Sequence, residues 1–154
     1  MLYTPEFFSQ KEFYDIELMN SHLLYIIDKI RSYFGYVYEH VSCVIHCSNE
    51  PPKSKVHVAG SKHYQNEAVD FHINCKDRWG KVVEYQFVAL EVANYLHFTT
   101  MWNDVGIGFY PEWNSPGFHL DWSPDKHREW QAKYVENADG NKIQVYTPVN
   151  YIFE

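Results

Sequence analysis

Ser61-Lys62-His63-Tyr64-Gln65-Asn66-Glu67-Ala68-Val69-Asp70-Phe71-His72 sets a histidine and a carboxylate seven residues apart, at the mouth of a strand predicted over Asp70 to Cys75. Alternate residues of a strand share a face. Asp70, His72 and Asn74 therefore point one way and Phe71, Ile73 and Cys75 the other, so the polar candidates separate from the packing residues. A second stretch, Val105 to Tyr110 followed by Gly117-Phe118-His119-Leu120-Asp121-Trp122, reads as two strands joined by a loop with Pro111, Asn114, Ser115 and Pro116. There His119 and Asp121 share one face, and Phe118, Leu120 and Trp122 the other. Two histidines and a carboxylate are a donor set for a metal. However, nine histidines in 154 residues also form chance patterns, so the spacing alone leaves the metal reading beside a plain structural one.

Outward from these stretches lies scaffold. Met19, Leu23, Ile26, Ile27, Ile30 and Phe34 recur at helical spacing and predict a helix over Ile16 to Phe34, with Gly35 as its stop. A second helix is predicted over about Lys81 to His97, after the turn Asp77-Arg78-Trp79-Gly80. Val41 to Cys47 is a β-branched strand, and Ser48 to Lys55 is a loop that continues through Val56-His57-Val58-Ala59-Gly60. Asn137-Ala138-Asp139-Gly140-Asn141 is a turn before a strand over Lys142 to Tyr146. Phe7 to Tyr14 is a short helix or a packed arm.

Composition narrows the function. The net charge of −7 leaves no basic patch for nucleic acid, and no apolar run approaches a membrane span. Met1 to Glu6 lacks the basic start and apolar run of a signal peptide, so synthesis in the cytoplasm is expected, with action elsewhere only if something releases the protein. Cys43, Cys47 and Cys75 are an odd set, which argues against a disulfide framework. On a strand, Cys43 and Cys47 lie about 13 Å apart, too far to serve one ion, and are read as buried thiols. The 13 Tyr, 10 Phe and 5 Trp fill a core, and any surplus at the surface could line a groove.

Ser61-x-His63-x-x-Asn66-x-Ala68-x-Asp70 resembles the Ser-x-His-x-x-Gly-x-Ala-x-Asp signature of zinc D-Ala-D-Ala metallopeptidases, whose fold is shared by the signalling domain of hedgehog proteins. Gly106-Ile107-Gly108-Phe109-Tyr110-Pro111 followed by Phe118-His119-Leu120-Asp121 is similar to the second motif of their peptidoglycan-cleaving branch. Arg128-Glu129-Trp130 resembles the basic-aromatic tail that follows in that branch. The resemblance, over roughly Val41 to Cys75 and Asp104 to Trp130, implies an α+β fold, an antiparallel sheet with helices packed on one side; the length of 154 residues points to a single domain over residues 1–154. It makes His63, Asp70 and His119 the ligands of one zinc ion per chain, with an open position for water. The implied activity is hydrolysis of peptide bonds in peptidoglycan stem or crosslink peptides, with the protein released to the cell wall in the manner of a phage lysin.

Three departures shape that expectation. The family's Gly is Asn66, a residue that tolerates a left-handed backbone. The strand whose Arg binds a substrate carboxylate in many relatives corresponds to Ser42-Cys43-Val44-Ile45-His46, without an Arg; His46 replaces it only weakly, which favours an endopeptidase over a carboxypeptidase. Pro116 stands where some relatives carry the catalytic acid three residues before the last histidine. Asp121 and Glu112 remain as candidate bases, with Asp121 alternatively orienting a ligand. The rival expectation is a non-catalytic zinc-binding or peptide-binding domain, such as a phage structural protein or wall-binding module, and a third is a protein with no metal.

Overall fold

Leu23, Leu24, Ile27, Ile30 and Phe34 are fully buried, and they make one stripe of a helix, α1 (Ser21–Val37). The computed structural model describes residues 3–51, 55 and 57–150. The sequence readings at Met1 and Leu2, and those of the loop at 52–54 and 56, lie outside the described residues. α1 starts later than its apolar spacing predicts. The Asn20 side chain accepts from the backbone N–H of His22 and of Leu23 and sets the N-terminus there. Ile16 and Met19 are still buried in the core, from a stretch of turns. Gly35 lies inside the helix, which runs two residues further. The second helix, α2 (Tyr85–Phe98), contributes Val88, Ala89, Val92, Ala93 and Leu96 to the same core.

Six strands form one sheet: β1 (Glu39–Cys47), β2 (Ala68–Lys76), β3 (Val105–Tyr110), β4 (Gly117–Trp122), β5 (Arg128–Glu136) and β6 (Lys142–Thr147). Their spatial order is β1-β2-β4-β3-β5-β6. The expected antiparallel sheet is corrected here to a mixed one, because β5 runs parallel to β3. The reason is the length of the connection. β4 ends opposite the start of β3, with Trp122 paired to Val105. Residues 123–127 only suffice to round that end: the Ser123 N–H donates to the Asp104 carbonyl and His127 Nδ1 to the Val105 carbonyl. The chain then enters beside the start of β3 and must run in the same direction. The segment from Arg128, expected as a tail, is thus a nine-residue strand.

One face of the sheet carries Phe71, Ile73, Ile107, Phe109, Phe118 and Leu120 into the core cluster with both helices. The opposite face holds the polar residues in cross-strand rows. Cys47 pairs with Asp70, Asp70 with His119, His119 with Gly108, and Gly108 with Trp130. The adjacent row is Ala68, Asp121, Gly106 and Arg128. The two glycines of β3 make room for these rows. A Cβ on Gly106 would stand 2.5 Å from a carboxylate oxygen of Asp121, and one on Gly108 2.5 Å from the Trp130 ring. Gly108→Ala is therefore expected to push Trp130 off the sheet and to cost about 1–3 kcal/mol. Urea unfolding, with tryptophan fluorescence as the local reporter, checks this.

Candidate metal centre

His63 arrives at the site from a short 3₁₀ turn, Lys62–Gln65, which Ser61 caps by accepting from the His63 N–H. The turn is closed by Asn66 in the left-handed region, at φ 61°. Glycine would satisfy that backbone, but Asn66 adds a side-chain oxygen that accepts from Asn49 Nδ2 at 2.9 Å. Asn49 also donates to the Asp15 carbonyl, so the turn is tied to the segment before α1.

The His63 ring is buried, and its Nδ1–H donates to the Ser48 carbonyl at 2.6 Å. That bond selects the tautomer and leaves the Nε2 lone pair directed at Asp70 Oδ2, 3.4 Å away. His119 is held from both sides. Its Nδ1 is 2.7 Å from Asp70 Oδ1, and its Nε2 is 3.1 Å from Asp121 Oδ2. His63, Asp70 and His119 each offer one donor atom within 4.8 Å of the others. The set fits a divalent ion such as zinc: each histidine turns one nitrogen to the shared point and commits its other to an oxygen acceptor, the usual support of a metal-binding imidazole.

Asp121 stands behind His119, away from Asp70. It is fully buried and accepts from His119, from Arg128 Nη2 at 3.0 Å and from the Ser123 hydroxyl. Its carboxylate thus faces the outer nitrogen of His119. Glu112 sits apart: its carboxylate accepts from the Tyr134 N–H at 2.7 Å, and it does not line the cleft described below.

The electrostatics follow from this packing. Burial by itself would lower the His119 pKa, but hydrogen bonds to Asp121 and Asp70 outweigh it and raise the value to about 9. Burial would likewise raise Asp121, yet the bonds from His119 and Ser123 bring it down to about 2. Burial would raise Asp70 as well, but its hydrogen bond with His119 holds it well below the usual carboxylate range.

The donors open onto a cleft of about 630 Å³. Tyr110, Trp113, Trp130 and Tyr146 form its aromatic side, and Tyr110 stacks on Trp113 at 4.1 Å. His57 and Lys62 also line the cleft, and the Arg128 guanidinium lies 5.7 Å from the Trp130 ring centroid. One cation of the cleft, Arg128, thus comes from β5. His46 does not line the cleft, and it is hydrogen-bonded to His72 at 2.5 Å.

Two residues at this end of the sheet were not foreseen as polar-site residues. Cys47 Sγ lies 3.2 Å from His57 Nε2 and 3.0 Å from a Glu50 carboxylate oxygen. The pairing of β1 with β2 shifts between Ile45 and Cys47, a bulge that turns Cys47 onto the polar face. Cys43 and Cys75 are in the core, as expected of buried thiols. His57 comes from a loop where no periodicity marks it.

No protein-family model matches the chain, and neither the curated proteins nor the solved structures searched contain a significant match. Among the described residues no helix is long and apolar enough to cross a membrane.

Two outcomes are expected at this centre. A histidine whose folded pKa is raised from 6.5 to about 9 contributes stability that is fully present below pH 6.5 and is lost as the pH rises through 9. Chelator-treated protein should therefore lose melting temperature across that window, and added zinc, which takes the place of the His119 proton, should flatten the dependence. A flat profile without metal would contradict the doubly hydrogen-bonded imidazolium. The second outcome concerns Asp121. Asp121→Asn removes the charge behind His119 and is expected to weaken zinc binding about 10- to 100-fold, whereas Glu112→Gln leaves it unchanged. Competition with a chromophoric chelator measures both.

Proposed function

We propose that this chain is a zinc-dependent peptidase that cuts peptide bonds in peptidoglycan stem or crosslink peptides. The observation that carries the reading is the convergence of His63, Asp70 and His119 on an open cleft, with both outer imidazole nitrogens already hydrogen-bonded. The cleft volume lies within the range of ligand sites, roughly 300–1,000 Å³. The choice of peptidoglycan peptides comes from the two motifs around His63 and His119.

A zinc ion held there supplies Lewis acidity and an acidified water for attack on a carbonyl. The chain's own residues do the rest. Asp70 would contribute one carboxylate oxygen to the ion. Asp121 keeps His119 in one orientation and is a positioning residue. The aromatic side, from Tyr110 to Trp130, offers flat surfaces to a peptide and excludes water. The two cations at the cleft are already paired, Arg128 with Asp121 and Lys62 with Glu67. Because Arg128 already donates to Asp121, a cut inside the stem or crosslink is favoured over removal of a free terminal residue.

A second reading rests on one further observation. Among the described residues lining the cleft, the carboxylates are Asp70 and Asp121. If Asp70 binds the ion and Asp121 holds His119, neither carries a proton to the leaving amine. A domain that binds wall peptides through its metal without cutting them would have this arrangement.

Purified protein is expected to carry zinc, and His63→Ala and His119→Ala are each expected to lose the ion from this centre. Chromatography of purified peptidoglycan after incubation should reveal new amine termini with the unmodified protein and none with either variant. Zinc-dependent sedimentation with peptidoglycan, without new termini, would decide for the binding domain.

A further inference from the structure

Cys47, Glu50 and His57 bring a thiol, a carboxylate and an imidazole together directly behind His63. The separations are 3.2 Å from Cys47 Sγ to His57 Nε2, 3.0 Å from Cys47 Sγ to Glu50 Oε1, and 3.9 Å from His57 Nε2 to Glu50 Oε1. Bond lengths of about 2.0 Å to nitrogen or oxygen and 2.3 Å to sulfur in a tetrahedron give donor separations of about 3.3–3.6 Å. The observed triangle brackets those values.

His63 is also near, with Nδ1 3.6 Å from Cys47 Sγ. It does not belong to this set, because its Nδ1–H is committed to the Ser48 carbonyl. Its ring instead stacks on His57, with centroids 4.1 Å apart and planes within 5°. The His57 backbone is held in place independently of any ion. Its N–H donates to the Tyr64 hydroxyl at 2.8 Å, and that hydroxyl donates back to its carbonyl at 2.9 Å.

We propose that Cys47, Glu50 and His57 form a second cation site, distinct from the His63–Asp70–His119 centre, that takes a zinc-class ion and ties the end of β1 to the His57 side of the cleft. The donor set selects the ion. A thiolate with an imidazole favours zinc or a similar borderline-soft metal over magnesium or calcium, which take oxygen donors. On binding, the sulfur–metal bond forms as the thiol proton leaves to solvent, with no change of oxidation state. The ion's place in the fold gives it a role. His57, Val58, Ala59 and Gly60 line the cleft, so an ion joining His57 to β1 fixes one side of the substrate groove. The site goes beyond the proposed peptidase reading and does not require that the protein be catalytic.

Cobalt distinguishes the two centres, because only one of them holds a sulfur. Full-length protein stripped of metal and loaded with cobalt is expected to bind about two ions per chain and to show a thiolate-to-cobalt charge-transfer band in the near ultraviolet. Cys47→Ser should bind one ion fewer and lack the band. His119→Ala should also bind one fewer yet keep the band. His57→Ala, which leaves the thiol in place, should weaken the band-forming ion at least about tenfold. Saturation of the unmodified protein without the band overturns the inference, and so does a band that survives in Cys47→Ser. One ion with the band leaves the second site standing and removes the His63–Asp70–His119 reading. One ion without the band does the reverse.

Discussion

The register between β2 and β4 is the constraint on which the site depends. Asp70 lies directly across from His119, and Ala68 across from Asp121. The side-chain period of a strand is two, so a slip of one residue would exchange the two faces. Phe71, Phe118 and Leu120, all fully buried, would then meet solvent, at about 1.5–3 kcal/mol each. Asp70 and His119 would be driven against α1 and α2. The hydrophobic face thus enforces the arrangement of the polar one, although no apolar residue needs to touch the donors.

Along the polar face, the cost of burying charge is met by pairing. A lone carboxylate as deeply buried as Asp121 would favour its neutral form. Three donors surround it instead, from His119, Ser123 and Arg128. Each lies on β4, just after it, or on the parallel strand β5. The parallel strand therefore has an electrostatic consequence as well as a topological one. It brings Arg128 to Asp121 and lays Trp130 over Gly108, so the second carboxylate can remain charged behind the histidine. Gly106 and Gly108 permit this because the space above each is taken by the side chain of a neighbouring strand.

Much of this arrangement could be read from residue order. The alternation in Asp70 to Cys75 and in Phe118 to Trp122 separated polar from packing positions, and the faces stand as read. Asn66 in place of glycine signalled a left-handed turn, and its φ is 61°. The apolar spacing of α1 located a buried stripe, yet misplaced the helix start, since Ile16 and Met19 satisfy the same spacing from turns. A cap at Asn20 decides between those outcomes, and only hydrogen bonding reveals it. The pairing of Arg128 to Glu136 could not be read locally, because most of that strand is exposed and lacks a clean alternation.

By itself, the sequence determined which residues share a face within β2 and β4, because side-chain parity is a local property of extended backbone. It also determined which stretches are scaffold, because burial requires periodic apolar residues. The tertiary structure decided the rest. A short connection after Trp122 forced β5 to run parallel to β3. A bulge before Cys47 reversed the parity that would have kept that thiol on the same face as Cys43. The clamp from Tyr64 brought His57 out of an aperiodic loop to the cleft. These outcomes depend on chain reach, strand register and side-chain hydrogen bonds between residues distant in sequence, and local periodicity carries none of them.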